Sequence, residues 1–250
     1  MMGANLLLPL SGLVLAALAW AAGSVWLAGV TPIAASFAPL ETARALLALL
    51  QGAELWEHVV VSLERVAVGL GVALLLGIPL GVLTGLSPLF SRSTTPLFQF
   101  ARMISPLSWM PLAVMVLGVG NAPVYFLLAF AAVWPILLNT AAGVAQLDKN
   151  WLLLARSLSA TRRETIVHVI LPGITAQILT GVRLAIGIIW IVLVPAEMLG
   201  VSAGLGYFIL DARDRLAYSD LMAAILVIGF LGYLLDHAAR TLHKRWLHAA

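Results

Sequence analysis

Six long apolar stretches, each separated from the next by a shorter polar segment, dominate the sequence. A helix needs about 20 apolar residues to cross a bilayer, and each stretch reaches that length. The pattern predicts an all-α, polytopic membrane protein that forms a single domain over residues 1–250. We place its six transmembrane helices at about Leu6 to Leu27, His58 to Leu86, Pro96 to Val119, Ala122 to Gln146, Ile174 to Leu199 and Asp220 to Ala239.

The segment at about 30–57 is too polar for a span and too apolar for a free linker. Within it, Pro39 to Leu50 has the periodicity of an amphipathic helix on the outer membrane surface, with Glu41 and Arg44 on its wet side. An irregular outer loop fits the segment equally well, and the sequence leaves both alternatives open.

A polar segment at about 148–172 separates the fourth and fifth spans. Asp148 can cap a short helix, and Thr161 followed by Glu164 three positions later is the capping-box pattern for a second helix, which we expect to run to Leu171. The segment is therefore predicted to be a helical hairpin in water.

Ser159 and Ala160 lie at the predicted bend between these two helices. We expect a positive φ at Ser159, a conformation that glycine adopts at lower cost. Such a hairpin is a candidate docking surface for a partner protein. An ordinary loop with an amphipathic surface helix is the alternative.

Composition supports the membrane interpretation. Hydrophobic residues make up 62% of the chain and charged residues 10%, whereas typical soluble domains carry about 25% charged residues. The chain has no cysteine, and its five histidines show no metal-ligand spacing. A disulfide framework and catalytic metal chemistry are therefore not expected, and the net charge of +3 needs no nucleic-acid partner.

Lysine and arginine divide unevenly between the two sides of the predicted membrane. With a cytoplasmic N-terminus, the eight cytoplasmic residues are Arg92, Lys149, Arg156, Arg162, Arg163, Arg240, Lys244 and Arg245, and the three outer ones are Arg44, Arg213 and Arg215. This bias satisfies the positive-inside rule. We therefore expect both termini and the hairpin to be cytoplasmic.

The hairpin resembles the cytoplasmic coupling loop of binding-protein-dependent ABC importer permeases, which reads Glu-Ala-Ala, three residues, Gly, nine residues, Ile-x-Leu-Pro. The two alanines fall on Leu154 and Ala155, the glycine on Ser159, and the closing motif on Val169 to Pro172. Leu153 stands where the family has Glu, so any polar contact of that carboxylate with the ATPase is missing here. The resemblance implies a type I importer fold and a coupling role for Leu154, Ala155, Arg156, Ser157, Leu158, Ser159, Ala160, Thr161, Arg162 and Pro172.

Further motifs extend the resemblance from about Glu54 to the C-terminus. The run from Arg102 to Pro111 is similar to the third-span signature of the nitrate, sulfonate, taurine and bicarbonate group of these permeases. The other matches are Trp134-Pro135 with Asn139-Thr140, Gly181 to Gly187 with Trp190, Ala196-Glu197-Met198, and Gly204 to Tyr207.

Ionisable residues inside spans normally face a cavity or a partner and are candidates for function. The candidate translocation path comprises Arg102, Ser105, Ser108, Trp109, Asn139, Arg183 and Glu197. One hypothesis makes Arg102 or Arg183 an electrostatic guide for an anion. The alternative is structural: one of these arginines pairs with Glu197 or caps helix carbonyls. The adjacent Glu64 and Arg65 are expected to contact neighbouring helices rather than substrate.

Neither lysine follows a glycine, so the chain has no Walker A phosphate cradle. It is therefore not expected to be an enzyme or to bind a cofactor, and ATP and Mg²⁺ belong to a separate ATPase. The family resemblance implies two such ATPase subunits, a second permease copy, and a periplasmic or lipid-anchored binding protein that docks on outer segments, including Gly200 to Tyr218.

We interpret the chain as a multi-pass inner-membrane permease subunit of an ABC importer for a small anion, working by alternating access. Nitrate or a related oxyanion is favoured over organosulfonates such as taurine or alkanesulfonates. A secondary carrier working without ATP is the alternative from another class, but its inverted repeats and mid-membrane acids are not evident. A membrane scaffold or sensor would need a soluble signalling domain, for which the chain has no length.

Overall fold

The computed structural model describes residues 4–249, and it describes side chains for residues 11–242, 244 and 245. Throughout this described part, the ordered elements are helices. In chain order they are α1 (Ala4–Ala28), α2 (Pro39–Gln51), α3 (Glu54–Leu86), α4 (Pro88–Met103), α5 (Met110–Leu117), α6 (Asn121–Gln146), α7 (Lys149–Ser157), α8 (Arg162–Thr165), α9 (Leu171–Gly173), α10 (Thr175–Glu197), α11 (Leu205–Asp214) and α12 (Tyr218–Ala249).

The all-α polytopic prediction is confirmed. Five described helices, or parts of them, are long and apolar enough to cross a membrane: Ser11–Ala28, Glu54–Leu86, Asn121–Gln146, Thr175–Glu197 and Tyr218–Leu242. The predicted third span is corrected. It consists of α4 and the helical segment Pro106–Leu117, which bend by 88° at a short break. Counting this pair as one span gives six.

Proline chemistry explains where the third span breaks. Ser105 has a ψ of 128°, the extended value that a following proline imposes on its neighbour, and Ile104 before it is also extended, with a ψ of 125°. Pro106 then starts a short 3-10 helix, Pro106–Trp109, that leads into α5. Pro79 and Pro135, by contrast, lie inside α3 and α6, which continue through them.

Backbone proximity divides the chain into two compact units, Met1–Val60 with Ala203–Phe230, and Val61–Ser202 with Leu231–Ala250. In the first unit, the amphipathic segment is helical as α2, and exposed Arg44 and Glu41 form an ion pair of 2.8 Å. The irregular-loop alternative is therefore wrong. In the same unit, the Trp20 indole donates a hydrogen bond to the carbonyl of Phe37, which ties α1 to the segment before α2.

The core of the second unit lies around α6. Its buried side chains include Val124, Leu127, Leu128 and Ile136, and they share one hydrophobic core with buried residues of α3 and α10. Because lipid is as apolar as these side chains, close packing rather than water exclusion must hold such helices together.

A stripe of small residues lets α3 approach α6 closely. The stripe recurs at every fourth position, which places its members on one helix face: Gly69, Ala73, Gly77, Gly81 and Gly85. A Cβ at Gly81 would lie 2.6 Å from the Cβ of Thr140 and 2.7 Å from the backbone oxygen of Leu137. The distance between the two helices therefore depends on glycine at this position.

We predict that Gly81→Ala lowers the free energy of unfolding by about 1–3 kcal/mol, because the added methyl overpacks a backbone contact. Gly71→Ala is the matched control on the same helix, since a Cβ there meets nothing within 4 Å. Denaturant titration of the purified protein in mixed micelles measures both effects. Equal stability of the two variants would contradict the close α3–α6 packing.

Candidate functional site

The predicted helical hairpin between the fourth and fifth spans is present. Oδ1 of Asp148 accepts the backbone N–H of Asn150 at 2.9 Å and caps α7. At the start of α8, the Thr161 hydroxyl oxygen accepts the backbone N–H of Glu164, and the Glu164 carboxylate accepts the backbone N–H of Thr161 at 2.8 Å. Both capping predictions are confirmed.

The hairpin has two arms, α7 and the helical run from Arg162 to Gly173. The bend between them has the predicted conformation. Ser159 has a φ of 56°, in the left-handed region that few residues other than glycine adopt readily. The second arm is helical to Gly173, but Ile166–Ile170 forms a π-helical turn that the sequence pattern did not indicate. Ile170 on this turn is buried in a small core with Val82. The hairpin is thereby anchored to the end of α3.

The capping box also lowers the pKa of Glu164 below its usual range. The backbone N–H of Thr161 is the largest cause, followed by the Thr161 hydroxyl, since both stabilise the charged carboxylate. A depressed pKa contributes stability above the unfolded-state value, and this contribution is lost as the pH falls through the folded-state value. The cap is therefore intact at neutral pH.

Of the apolar coupling candidates, the hairpin exposes Leu154 and Leu158, which form its apolar contact face, and buries Ala155. Ala155 is only 5% exposed and faces its own chain, whereas Leu154 and Leu158 are 61% and 73% exposed. The helical period turns Ala155 inward once α7 packs against the second arm. Exposed leucines, rather than Ala155, are therefore available to a partner. Of the remaining candidates, Arg156, Ser157, Ser159, Thr161, Arg162 and Pro172 are exposed and Ala160 is half-buried.

A cavity of about 370 Å³ brings two candidate path residues together. Arg102, at the C-terminal end of α4, and Asn139 of α6 both line it, as does Trp134. The indole nitrogen of Trp134 is buried without a hydrogen-bond partner. In the part of the chain with described side chains, Arg102 forms no ion pair with a carboxylate. The cavity wall therefore carries an uncompensated positive charge.

The other three candidates from the third-span motif lie in or next to the break. Ser105 precedes the 3-10 helix that contains Ser108 and Trp109. The Trp109 ring packs against Phe130 with centroids 5.7 Å apart, and its buried indole nitrogen has no hydrogen-bond partner. These residues shape the break, and none of the three lines the cavity.

The hypothesis that Arg183 or Arg102 pairs with Glu197 is wrong. Arg183 instead pairs with Asp236 of α12, with Nε and Oδ1 3.4 Å apart and both side chains partly exposed. Glu197 is fully buried, and its Oε1 lies 2.8 Å from Nη1 of Arg65. The carboxylate that we assigned to the path therefore lies inside packed protein.

The Arg65–Glu197 ion pair is part of a buried polar cluster. The Ser62 hydroxyl lies 2.8 Å from both carboxylate oxygens of Glu197. The Arg65 guanidinium also donates through Nε and Nη2 to Oδ1 of Asn121, at 3.1 and 2.7 Å. The cluster joins α3, α10 and the first residue of α6, and its hydrogen bonds offset the cost of burying the charges.

The sequence analysis did not predict the partners of Glu197 and Arg183, because each partner is distant in sequence. Arg65 was correctly expected to contact neighbouring helices, as was Glu64, which accepts a hydrogen bond from Tyr125. A search for a buried counter-charge at the same membrane depth as Glu197 could have found Arg65. Nothing in the sequence pattern singled out Asp236 as the partner of Arg183.

Residues 77–248 match the family of binding-protein-dependent transport system inner membrane components. The chain belongs to this family, the permease subunits of ABC importers, and relatives place it in the nitrate, sulfonate and bicarbonate group.

Three relatives illustrate that group. The chain is 39% identical over 195 residues to the bicarbonate transport system permease protein CmpB of Synechococcus elongatus, covering 77% of this chain and 69% of CmpB. It is 37% identical over 182 residues to the nitrate import permease protein NrtB of Leptolyngbya laminosa, covering 73% and 65%. It is 36% identical over 193 residues to the taurine transport system permease protein TauC of Escherichia coli, covering 77% and 70%.

The fold is also that of a solved transporter. A chain from inward-facing structures of the MetNI methionine ABC transporter superposes with a TM-score of 0.63 at 14% identity, covering 77% of this chain and 97% of that chain. Together with the family match, this similarity defines a multi-pass subunit of the inner membrane. It is a transport component rather than an enzyme, and it works with a separate ATPase and a substrate-binding protein.

The buried cluster makes a testable prediction about stability. Arg65→Gln or Glu197→Gln alone should destabilise the protein by about 3–5 kcal/mol, because each leaves an uncompensated buried charge, whereas the double variant should recover part of that loss. A double-mutant cycle of unfolding free energies in mixed micelles measures the coupling.

A second cycle on the partly exposed pair, Arg183→Gln with Asp236→Asn, is the control. It should give a smaller coupling, because both side chains are partly exposed and Asp236 also pairs with Arg240. Additive losses for Arg65 and Glu197 would show that the two charges do not stabilise each other.

Proposed function

We propose that this chain is one of two identical transmembrane subunits of an importer that moves a small planar oxyanion, nitrate or bicarbonate, into the cytoplasm. The observation that supports this substrate class is the cavity lined by Arg102 and Asn139. Arg102 falls within the third predicted span and is exposed on the cavity wall. An arginine within a bilayer costs several kcal/mol unless a partner or a hydrated cavity accommodates it. A transported anion would be a transient partner for Arg102.

The chemistry of the cavity favours a planar monoanion. A guanidinium presents a planar fork of N–H donors that matches two oxygens of a planar anion. The described residues that line the cavity include no aspartate or glutamate, so nothing there offsets the positive charge.

Organosulfonates are the second candidate substrate class, and the identity to the taurine permease favours them. Taurine carries an ammonium as well as a sulfonate and therefore needs an acceptor near the cationic end. The cavity offers the neutral amide of Asn139 and no carboxylate that could balance the ammonium charge. Nitrate and bicarbonate therefore come first, with nitrate the leading candidate.

The proposed assembly follows from charge distribution and family. The excess of Lys and Arg around the hairpin and the C-terminal end favours a cytoplasmic location for both. Each copy is a single permease domain that contacts one of two ATPase subunits, which use ATP and Mg²⁺. This chain itself needs no cofactor. A periplasmic or lipid-anchored binding protein docks on outer segments, including residues 200–218.

The mechanism is alternating access, with the hairpin as the mechanical link. ATP brings the two ATPase subunits together, and each hairpin moves with the ATPase beneath it. Exposed Leu154 and Leu158 provide the apolar contact, while the buried side of the hairpin passes the displacement to the spans through Ile170. The spans then open the path outward to receive the anion.

Arg102→Gln should reduce anion uptake by about tenfold or more, since a hydrogen bond to a charged group contributes about 1.5–3 kcal/mol. The complete importer is reconstituted in proteoliposomes, and initial uptake of nitrate, bicarbonate and taurine is compared. Arg92→Gln removes the same charge from α4 outside the cavity lining, so it should transport normally.

Normal anion uptake in Arg102→Gln would remove Arg102 from the path. If the unaltered importer carries taurine and neither inorganic anion, the organosulfonate function replaces the proposed one.

Leu154→Asp should reduce ATPase association by at least about tenfold, because an unpaired charge would enter the apolar contact while the exposed side chain leaves the permease fold unaffected. Co-purification and substrate-stimulated ATP hydrolysis measure the loss. Asn150→Asp adds the same charge at the exposed first turn of α7, where the helix dipole favours it, and should behave normally. Equal coupling in both variants would exclude this face from ATPase contact.

A further inference from the structure

We propose that the headgroup of an anionic phospholipid binds on the opposite side of the hairpin from the apolar contact face. A cavity of about 740 Å³ lies between the second arm, α7 and the junction of α3 with α4. Its polar lining consists of Arg156, Arg162, Ser87 and Thr165. This cavity is separate from the one that contains Arg102, so the inference does not depend on which ion is transported.

Charge is the first argument for an anionic ligand. Arg156 and Arg162 line the same cavity, and neither forms an ion pair with a carboxylate in the described part of the chain. The two acidic residues of the hairpin do not line it: Asp148 caps α7 and Glu164 belongs to the capping box. Two guanidinium groups can together donate the paired hydrogen bonds that a phosphate group accepts.

The cavity's apolar walls favour a phospholipid over a free phosphate ion. Leu83 and Leu86 come from the last turn of α3, and Leu152, Ile166 and Ile170 from the hairpin. A free phosphate would leave these walls against water, whereas a phospholipid places its phosphate on the arginines and its first methylenes on the leucines. The site therefore has the amphipathic character of its proposed ligand.

The position of the cavity along the spans also fits a phospholipid. Leu86 is the last residue of α3, a helix long and apolar enough to cross a membrane, so the cavity lies beside one end of a candidate span. Basic pockets between spans on the cytoplasmic side are typical sites for anionic headgroups. Ser87 caps the 16-residue helix α4 beside the cavity, and the positive end of that helix dipole adds to the attraction.

A lipid in this cavity would contact both the hairpin and the α3–α4 junction. It would stabilise the orientation of the hairpin relative to the spans of its own unit. We therefore expect lipid composition to affect the stability of the permease and the coupling of ATP hydrolysis to transport, with no change in which anion is carried.

The test uses the complete importer in a neutral detergent, titrated separately with phosphatidylglycerol, phosphatidylcholine and inorganic phosphate. Phosphatidylglycerol should raise the Tm, as any ligand selective for the folded state does, and native mass spectrometry should detect it bound. The other two additives should do neither. Arg156→Gln with Arg162→Gln should lose at least half of the Tm rise and of the retained lipid.

Lys149→Gln with Arg163→Gln is the matched control, because it removes two charges from the hairpin outside the cavity lining. It should keep both effects. If the cavity double variant fails to assemble, the single variants Arg156→Gln and Arg162→Gln carry the test, and each should lower lipid retention.

Three outcomes would overturn the proposal. An equal Tm rise with inorganic phosphate would mean that a free anion suffices. Equal losses in the control variant would mean that binding depends on diffuse charge rather than on this cavity. Unchanged lipid retention combined with loss of ATPase association in the cavity variant would assign the two arginines to the protein partner.

Discussion

Inside a bilayer, a charged side chain needs a partner or water, and this constraint explains where the ionisable side chains of the spans lie. Arg65 and Glu197 neutralise each other in a buried ion pair, and Arg183 meets Asp236 at a partly exposed position. Arg102 differs, because it lies at a cavity wall with no carboxylate partner in the described part of the chain. The same rule thus distinguishes the paired arginines from Arg102, for which we propose a transported anion as partner.

The sequence predicted correctly those features that local chemistry determines. Capping acts within three positions, so Thr161 and Glu164 could be identified from spacing alone, and the positive φ at Ser159 followed from the bend between two capped helices. Lengths and hydropathy likewise located five of the six predicted spans, but they did not predict the break in the third. Contacts across helices were not predictable in this way. Glu197 ends α10 while Arg65 lies well inside α3, and only the packing of these helices brings the two to the same depth.

The hairpin shows why local and tertiary information must be combined. Its caps and bend predict two short helices, but which face each helix exposes depends on how the arms pack. Ala155 is buried because α7 lies against the second arm, and the π-helical turn allows Ile170 to reach the core near Val82. A hairpin that is capped at both helix starts and anchored by a buried side chain is a stiff element. Stiffness suits a coupling role, since a flexible loop would absorb a partner's movement instead of passing it to the spans.

The same physics limits how selective the proposed path can be. One guanidinium at the wall of a cavity of about 370 Å³ lowers the electrostatic barrier for any small anion that fits, and it distinguishes anions by charge and size more than by identity. Tight, specific binding within the path would also slow release into the cytoplasm, because a passing ion must leave as readily as it enters. A path with a single charge therefore favours rapid transport over selectivity. We infer that recognition of the particular anion belongs mainly to the binding protein that delivers it.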